Sequence, residues 1–332
     1  MTFPQPTPYS FWLYEALQQG VVQLPLGERT QVVITGADRV NFLHGFCTGD
    51  IKKLKPGEGC ESFITNHQGK ATGHVIVLAQ EDRLILNGAA GQAEKLIAHL
   101  DRFVISEQVT FSDPSAETAC VLLTGKDAEG ALARMSIDPP TGRLQHVAYS
   151  LSDAPGMIAR VDFLGSTPAI VFSVAKADAN QLANQLAAAG AASSDKDTLA
   201  AVWQMARIEA GYPLYGPDIS EDNLPQEVAR DAQAINFNKG CYLGQETIAR
   251  LDALGHVNRV LTGLKFPPGA VVQPGETIMQ GDKKIAQITS LAWSPKLQAP
   301  LALAYVRSIH ATPGKRIPFA GGEAEVVKLP LE

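Results

Sequence analysis

At 332 residues and 35.4 kDa the chain has room for two or three domains with sizeable cores. Its 45% hydrophobic and 19% charged composition excludes a disordered chain, and a net charge of -6 with a pI near 5.7 excludes a broad grip on a phosphate backbone. The four cysteines form no disulfide scaffold, and no two are spaced CxxC, which excludes zinc-ribbon and thioredoxin-type motifs. The N-terminus has no basic segment before an apolar run, and apolar runs such as Val75 to Ala79 are only strand-length, so neither a secretory signal nor a membrane span is predicted. A cytoplasmic, reducing setting is expected.

In chain order, residues 1 to 9 read as a mobile Pro-rich tail, with Ser10 capping a helix that carries Phe11, Trp12, Tyr14 and Leu17. Gln31 to Thr35 is a strand ended by Gly36, and Asp38 opens a helical segment through Phe42, Leu43 and Phe46. Residues 61–66, 73–79 and 83–87 read as strands, and Gly91 to Val104 as a helix with Leu96, Ile97, Leu100 and Phe103 inward. Val32-Val-Ile-Thr-Gly-Ala-Asp38 is then echoed by Val121-Leu-Leu-Thr-Gly-Lys-Asp127, followed by strands near 144–149, 157–163 and 169–174 and a helix ending at Gly190. The echo reads either as two related α+β halves or as chance similarity of two strand-turn-helix starts. From about residue 256, Pro-Gly, Gly-Asp and Gly-Gly pairs punctuate short strand-like runs, which predicts a small all-β barrel or sandwich. The expected division is a first lobe at 1–115, a second at 116–254 and a β-domain at 255–332.

Two segments carry chemistry. Asp197 to Gly211 is a helix capped at Asp197, with Leu199, Val202, Ala206 and Glu209 on one stripe and Arg207 on another face. A carboxylate ending a buried stripe needs a partner. Glu209 is therefore either paired with a nearby Arg or backbone amides, or it awaits a ligand edge with two adjacent N–H donors, such as a pterin's. In the second segment, Asn236 to Arg250, Cys241 lies between Gly240 and Gly244, beside Lys239, just before a helix starting near Gln245. A thiol near a helix N-terminus and a lysine is either an inert buried cysteine or a nucleophile of lowered pKa. Cys47, Cys60 and Cys120 read as inert. The histidines at 44, 67, 74, 99, 146, 256 and 310 show no zinc spacing, Lys52, Lys53 and Lys55 read as a solvated face, and P-loop and dinucleotide fingerprints are absent.

Lys239-Gly240-Cys241-Tyr242-Leu243-Gly244-Gln245-Glu246 matches the signature K-G-C-[FY]-x-G-Q-E, and with Arg207 to Ile219, Leu224 to Glu227, Gly36 to Asp38, Phe42-Leu43, Thr48 to Asp50 and Leu54 to Gly57 the chain resembles the YgfZ/GcvT-like folate-binding family over nearly its whole length. The resemblance implies an α+β, T-protein-like ring of two related ferredoxin-like lobes and a C-terminal β-barrel around a tetrahydrofolate channel. It implies Glu209 as the pterin's partner, Asn87 on the channel wall, and Tyr215 and Arg250 toward the wall and the folate tail. It also implies Cys241, with Lys239, as a reactive thiol at the rim. The paired aspartates of the T-protein are replaced by Gly73 and His74, and the cysteine signature is foreign to the T-protein. Both differences point to an auxiliary factor for iron–sulfur cluster assembly or repair and, through it, tRNA thiomethylation. Cys241 would act by transient ligation of a cluster or by thiol exchange, with client enzymes or cluster carriers as partners. The alternatives are a folate-dependent aminomethyltransferase and a tRNA-binding scaffold, the last disfavoured by the acidic pI.

Overall fold

The computed structural model describes residues 7–151, 154–255 and 257–332. The Pro-rich residues 1–6 and His256 lie outside the described residues. Helix α1 (Pro8–Gln19) starts inside the segment expected to be a tail, and its cap is Thr7, whose hydroxyl accepts from the Ser10 amide, rather than Ser10 itself. Pro at the first helical position has no amide proton to leave unpaired, which suits it to that place.

The first lobe is built from β2 (Thr30–Thr35), α2 (Arg39–His44), β3 (Gly59–Thr65), β4 (Ala71–Ala79), β5 (Arg83–Gly88), α3 (Ala93–Asp101) and β6 (Thr110–Ser112). Its antiparallel sheet has the order β3-β4-β5-β2-β6. The second lobe follows with β7 (Thr118–Thr124), α4 (Ala128–Arg134), β8 (His146–Leu151), β9 (Ala154–Val161), β10 (Ala169–Ala175) and α5 (Ala179–Ala188). Its order, β8-β9-β10-β7 read from the other edge, repeats that of the first lobe, so the sequence echo is a structural repeat. Both Thr-Gly corners demand glycine. Gly36 has φ +104° and Gly125 φ +124°, and a Cβ would come within 1.9 Å of the Gln108 carbonyl oxygen in one case and 2.5 Å of the Gly20 carbonyl oxygen in the other.

The fifth strand of the second sheet is β1 (Val22–Pro25), which pairs antiparallel with β7 from Val22↔Thr124 to Pro25↔Val121. The N-terminal segment, grouped with the first lobe on sequence, therefore completes the sheet of the second. Every residue of β4 is buried, because the pleat divides it between two cores. Val75, Val77 and Ala79 face the helices of their own lobe, with Leu96 and Leu100. Ile76 and Leu78 face Leu122 and Val171 of the second sheet, together with Leu13 and Leu17 of α1. Each fully buried Leu of this shared core contributes about 1.5–3 kcal/mol.

Helix α6 (Lys196–Glu209) is capped by Asp195, which accepts from the amides of Asp197 and Thr198, two residues ahead of the cap expected from sequence. Helices α7 (Asp231–Ala234) and α8 (Gln245–Leu254) lead to the β-domain. That domain consists of β11 (Arg259–Lys265), β12 (Thr277–Gln280), β13 (Lys283–Ser294), β14 (Ala299–Arg307), β15 (Arg316–Phe319) and β16 (Gly322–Val327). The order β12-β13-β14-β11-β16-β15 brings the end strands β12 and β15 together, a nearly closed barrel around Leu264, Phe266, Ile288 and Val326. Its outer residues Leu301, Leu303 and Tyr305 pack with Met205 and Ile208 of α6.

Candidate functional site

Glu209 ends α6 and is 4% exposed. Tyr14 of α1 donates to its Oε2, while the Ser294 hydroxyl, at 2.5 Å, and the Lys296 amide, at 3.2 Å, donate to Oε1. Among the described residues no arginine takes part. Burial, with the Glu209 charge beside it, pushes the Tyr14 phenol up, so Tyr14 stays a donor at neutral pH. Beside the carboxylate lies a cleft of about 140 Å³ lined by Leu17, Gln18, Ala206, Lys296 and Leu331. An apolar cavity of ~150 Å³ holds one benzene ring, so this cleft has room for one ring of a flat ligand. A carboxylate offers about four lone-pair positions. Two of the three in use are held by hydroxyls, which can turn aside for a ligand's N–H groups.

Asn87, on β5, accepts from Arg29 Nε at 2.9 Å, and the Arg29 guanidinium lies 5.2 Å from the Phe163 ring centre. Tyr215 is half-buried, and its hydroxyl reaches the Ala71 carbonyl at 3.5 Å. Arg250 is exposed on α8 and has no hydrogen bond or ion pair among the described residues. Among those residues no hydrogen bond joins Glu209, Asn87, Tyr215 and Arg250 to one another.

Between the lobes sits a charge cluster that the sequence did not disclose. Glu61 of β3 is 2% exposed and accepts from Arg230 on both oxygens, from Arg143 Nη2 at 2.6 Å and from His74 Nε2 at 2.7 Å. His74 stacks on Phe63 at 4.9 Å, and Arg230 lies 5.2 Å over Tyr212, which packs on Phe163 at 4.5 Å. Of the two residues standing where the T-protein resemblance sets aspartates, His74 is thus tied to Glu61, and Gly73 is closed in by the Leu96 side chain. Arg207, assigned by its spacing to a face apart from the buried stripe, is 1% exposed and pairs with Asp218 at 2.9 Å and Ser290 at 2.7 Å.

The Cys241 segment wraps the loop after α2. Asn236 donates its amide to the Thr48 carbonyl, Leu243 donates its amide to the Gly45 carbonyl, and Thr65 donates to the Leu243 carbonyl at 2.6 Å. Gly244, at φ +81°, packs so closely that a Cβ would lie 2.3 Å from the Asn66 carbonyl oxygen. Helix α8 starts at Gln245 as expected, and the Gln245 side chain accepts from the Tyr242 amide. Cys241 is exposed, while Cys47 and Cys120 are buried. Lys239 does not serve the thiol. Its ammonium is buried and donates to the carbonyls of His44, Cys47 and Gly49 at 2.7, 2.6 and 2.8 Å. Among the described residues no group of three His, Cys, Asp or Glu side chains is placed to hold a metal ion, and no helix is long and apolar enough to cross a membrane.

Beside this segment an opening of about 450 Å³ is lined by Asp50, Cys60, Glu61 and residues 232–238. Next to it in the chain, Asp231 keeps one carboxylate oxygen buried without a partner among the described residues, and burial, with Asp252, raises its pKa to about 6. A folded-state pKa above the unfolded one stabilises the fold at low pH, and that stabilisation is lost as pH rises through the folded value. Asp231→Asn is therefore expected to stabilise the protein by about 1 kcal/mol at pH 7, a figure reduced for solvent screening, and to change little near pH 4. Urea unfolding at both pH values checks this; equal effects at the two would sink it.

Three comparisons place the chain. Residues 14–239 match the GCVT N-terminal domain, and residues 259–331 match the glycine cleavage T-protein C-terminal barrel domain. An aminomethyltransferase of Streptomyces avermitilis is 29% identical over 304 residues, covering 87% of this chain and 79% of its own. A chloroplastic Arabidopsis thaliana protein bearing a transferase name is 25% identical over 308 residues, covering 91% and 69%. The crystal structure of the glycine cleavage system aminomethyltransferase T of Bartonella henselae superposes with a TM-score of 0.80 at 19% identity, covering 99% of this chain and 91% of that one. With both domain models matched in order and the three-sheet architecture shared end to end, the chain belongs to the GcvT family, that of the glycine cleavage T-protein.

Proposed function

We propose that the protein binds a reduced folate through Glu209 and works as an auxiliary factor for iron–sulfur cluster assembly or repair, with Cys241 as its working thiol. The observation that carries this reading is the pairing of a buried, hydroxyl-bonded carboxylate beside a ring-sized cleft with an exposed cysteine on a rigidly held loop. The cleft residues fit a pterin edge: Glu209 accepts N–H groups, and Leu17, Ala206 and Leu331 cover a ring face. A folate bound there would supply a one-carbon carrier. The protein's own part is to hold the pterin and present the thiol. With one exposed cysteine, a four-thiolate cluster site is incomplete, so exchange with a sulfur of a partner protein is the chemistry favoured over ligation.

Titration calorimetry with tetrahydrofolate tests the folate half. Wild type should bind, and Glu209→Gln should lose about 10- to 100-fold in affinity, as expected for one charge-assisted hydrogen-bond set. Absence of binding by wild type defeats the assignment. Failure of Cys241→Ser to support cluster enzymes in cells, with the fold and folate affinity kept, tests the thiol half.

The names of the relatives favour a second reading, folate-dependent aminomethyl transfer. Against it stand Gly73 and the engaged His74, which leave no free carboxylate at the position the T-protein resemblance assigns to catalysis. Turnover of an aminomethyl donor with tetrahydrofolate, lost on changing Glu209 and kept in Cys241→Ser, would establish this second reading instead.

A further inference from the structure

His44, the last residue of α2, is 7% exposed, yet its ring is unemployed. Nδ1 is buried without a hydrogen bond among the described residues, with Asp50 Oδ1 standing off at 3.6 Å. Nε2 has no hydrogen-bond partner there either. Burying Nδ1 with nothing to bond costs free energy. The ring lies against the segment of the exposed cysteine: a Cβ on Gly240 would stand 3.8 Å from His44 Nε2, and Cys241 is the next residue. The two loops are pinned together on either side of this contact. Lys239 Nζ donates to the His44 carbonyl, and the Leu243 amide donates to the Gly45 carbonyl at 2.9 Å. Gly240, having no side chain, places none between its own backbone and the ring edge.

We infer that His44 is the proton acceptor for the Cys241 thiol and that Asp50 orients the His44 ring. This deepens the reading of Cys241 as a working thiol and rests on it. In the step, Cys241 Sγ attacks one sulfur of a disulfide on a partner protein while its proton passes to His44 Nε2. A bond forms between Cys241 and the attacked sulfur, the partner's S–S bond breaks, and the departing sulfur takes the proton from His44. One thiol and one disulfide enter and one of each leaves, so no outside oxidant or reductant is needed. Asp50 would receive the Nδ1 proton's hydrogen bond once the ring shifts toward it. Its side chain is 11% exposed and also pairs with Lys53 at 3.1 Å.

The charges around the ring suit a base. Burial, the Lys239 ammonium and Lys52 lower the His44 pKa, and Asp50 opposes them. The ring is thus neutral at neutral pH, the form able to take a proton. Glu246, in the first turn of α8, is the acidic residue of the cysteine's own segment. Of the other thiols, Cys47 and Cys120 are buried, Cys60 is half-buried, and burial pushes the thiols of Cys47 and Cys60 up.

Alkylation of the full-length protein by iodoacetamide, followed from about pH 5.5 to about 9.5 with Cys241→Ser as background, tests this. Wild type should show a rise in rate in the imidazole range below pH ~7, in addition to a rise toward the alkaline end. His44→Asn should remove that lower limb, slow alkylation about tenfold near pH 6.5 and leave the rate at the alkaline end unchanged. A wild-type profile without a limb below pH ~7 overturns the inference, and so does a His44→Asn profile that superimposes on it. The wild-type curve does not depend on His44→Asn, so poor folding of that variant leaves the test decisive. The assay contains neither folate nor a client enzyme, so its failure is separable from a failure of folate binding.

Discussion

Glu61→Gln lowers the free energy of unfolding by about 3–5 kcal/mol, the cost of leaving a buried cation without its counter-charge. Arg230 meets Glu61 on both oxygens, and Glu61 also holds Arg143 and His74, so an amide there strands the positive charge between two lobes. Asp162, 3.4 Å from Arg230 Nη2, offsets only part of it. The pH dependence follows. Burial by itself would raise the Glu61 carboxyl, but the charge and hydrogen bonds of Arg230, aided by His74, hold it well below the usual carboxylate range. A depressed folded-state pKa stabilises above the unfolded value of about 4.3 and is lost as pH falls through the folded one. Wild type therefore keeps this contribution from neutral pH down to about pH 5 and sheds it in stronger acid, while Glu61→Gln shows a shallower acid limb. Urea unfolding read by tryptophan fluorescence measures both; an unchanged midpoint at pH 7 with an unchanged slope rejects the assignment.

Lys239→Met is expected to cost about 2–4 kcal/mol, since it strips three carbonyls of a charged donor and leaves them buried. The Met side chain keeps the apolar stem, so the loss reports the ammonium rather than a void. The stability loss should come with faster amide exchange across residues 236–243, whose attachment to the 44–49 loop depends on that ammonium. An activator of the neighbouring thiol would behave differently: thiol reactivity would change and the melting temperature would hold. A melting temperature within error of wild type would show the three-carbonyl cage to be dispensable.

The division between what was legible and what was not follows sequence distance. The strand-Thr-Gly-x-Asp-helix echo, the strands at β3 to β5 and β8 to β10, and the change of texture before the barrel are local patterns, set by pleat period and by turn residues, and they are present as read. The cap of α6 was displaced by two residues because Asp195 and Asp197 are equivalent by type, and only the backbone chooses between them. Partners far apart in the chain were beyond reach. Tyr14 meets Glu209 across 195 positions, and Arg230 meets Glu61 across 169. Spacing put Arg207 off the buried stripe, yet the turn at Gly211 folds Asp218 back onto it and the barrel supplies Ser290. Lys239 stood beside Cys241 in the sequence, and adjacency suggested activation. A long flexible side chain leaves its neighbours behind, and here it ends among carbonyls 190 to 195 residues upstream.

The placement of β1 sets an order on biosynthesis. Val22 pairs with Thr124, so when the N-terminal strand leaves the ribosome its hydrogen-bonding mate has yet to be translated. Residues 30–112 contain every strand of the first sheet, so that lobe can close while the nascent α1–β1 arm waits. Domains completed early in translation commonly fold first. The arm is then captured when β7 emerges, tying the beginning of the polypeptide to its middle and making release of the two lobes from each other a joint event rather than two separate ones.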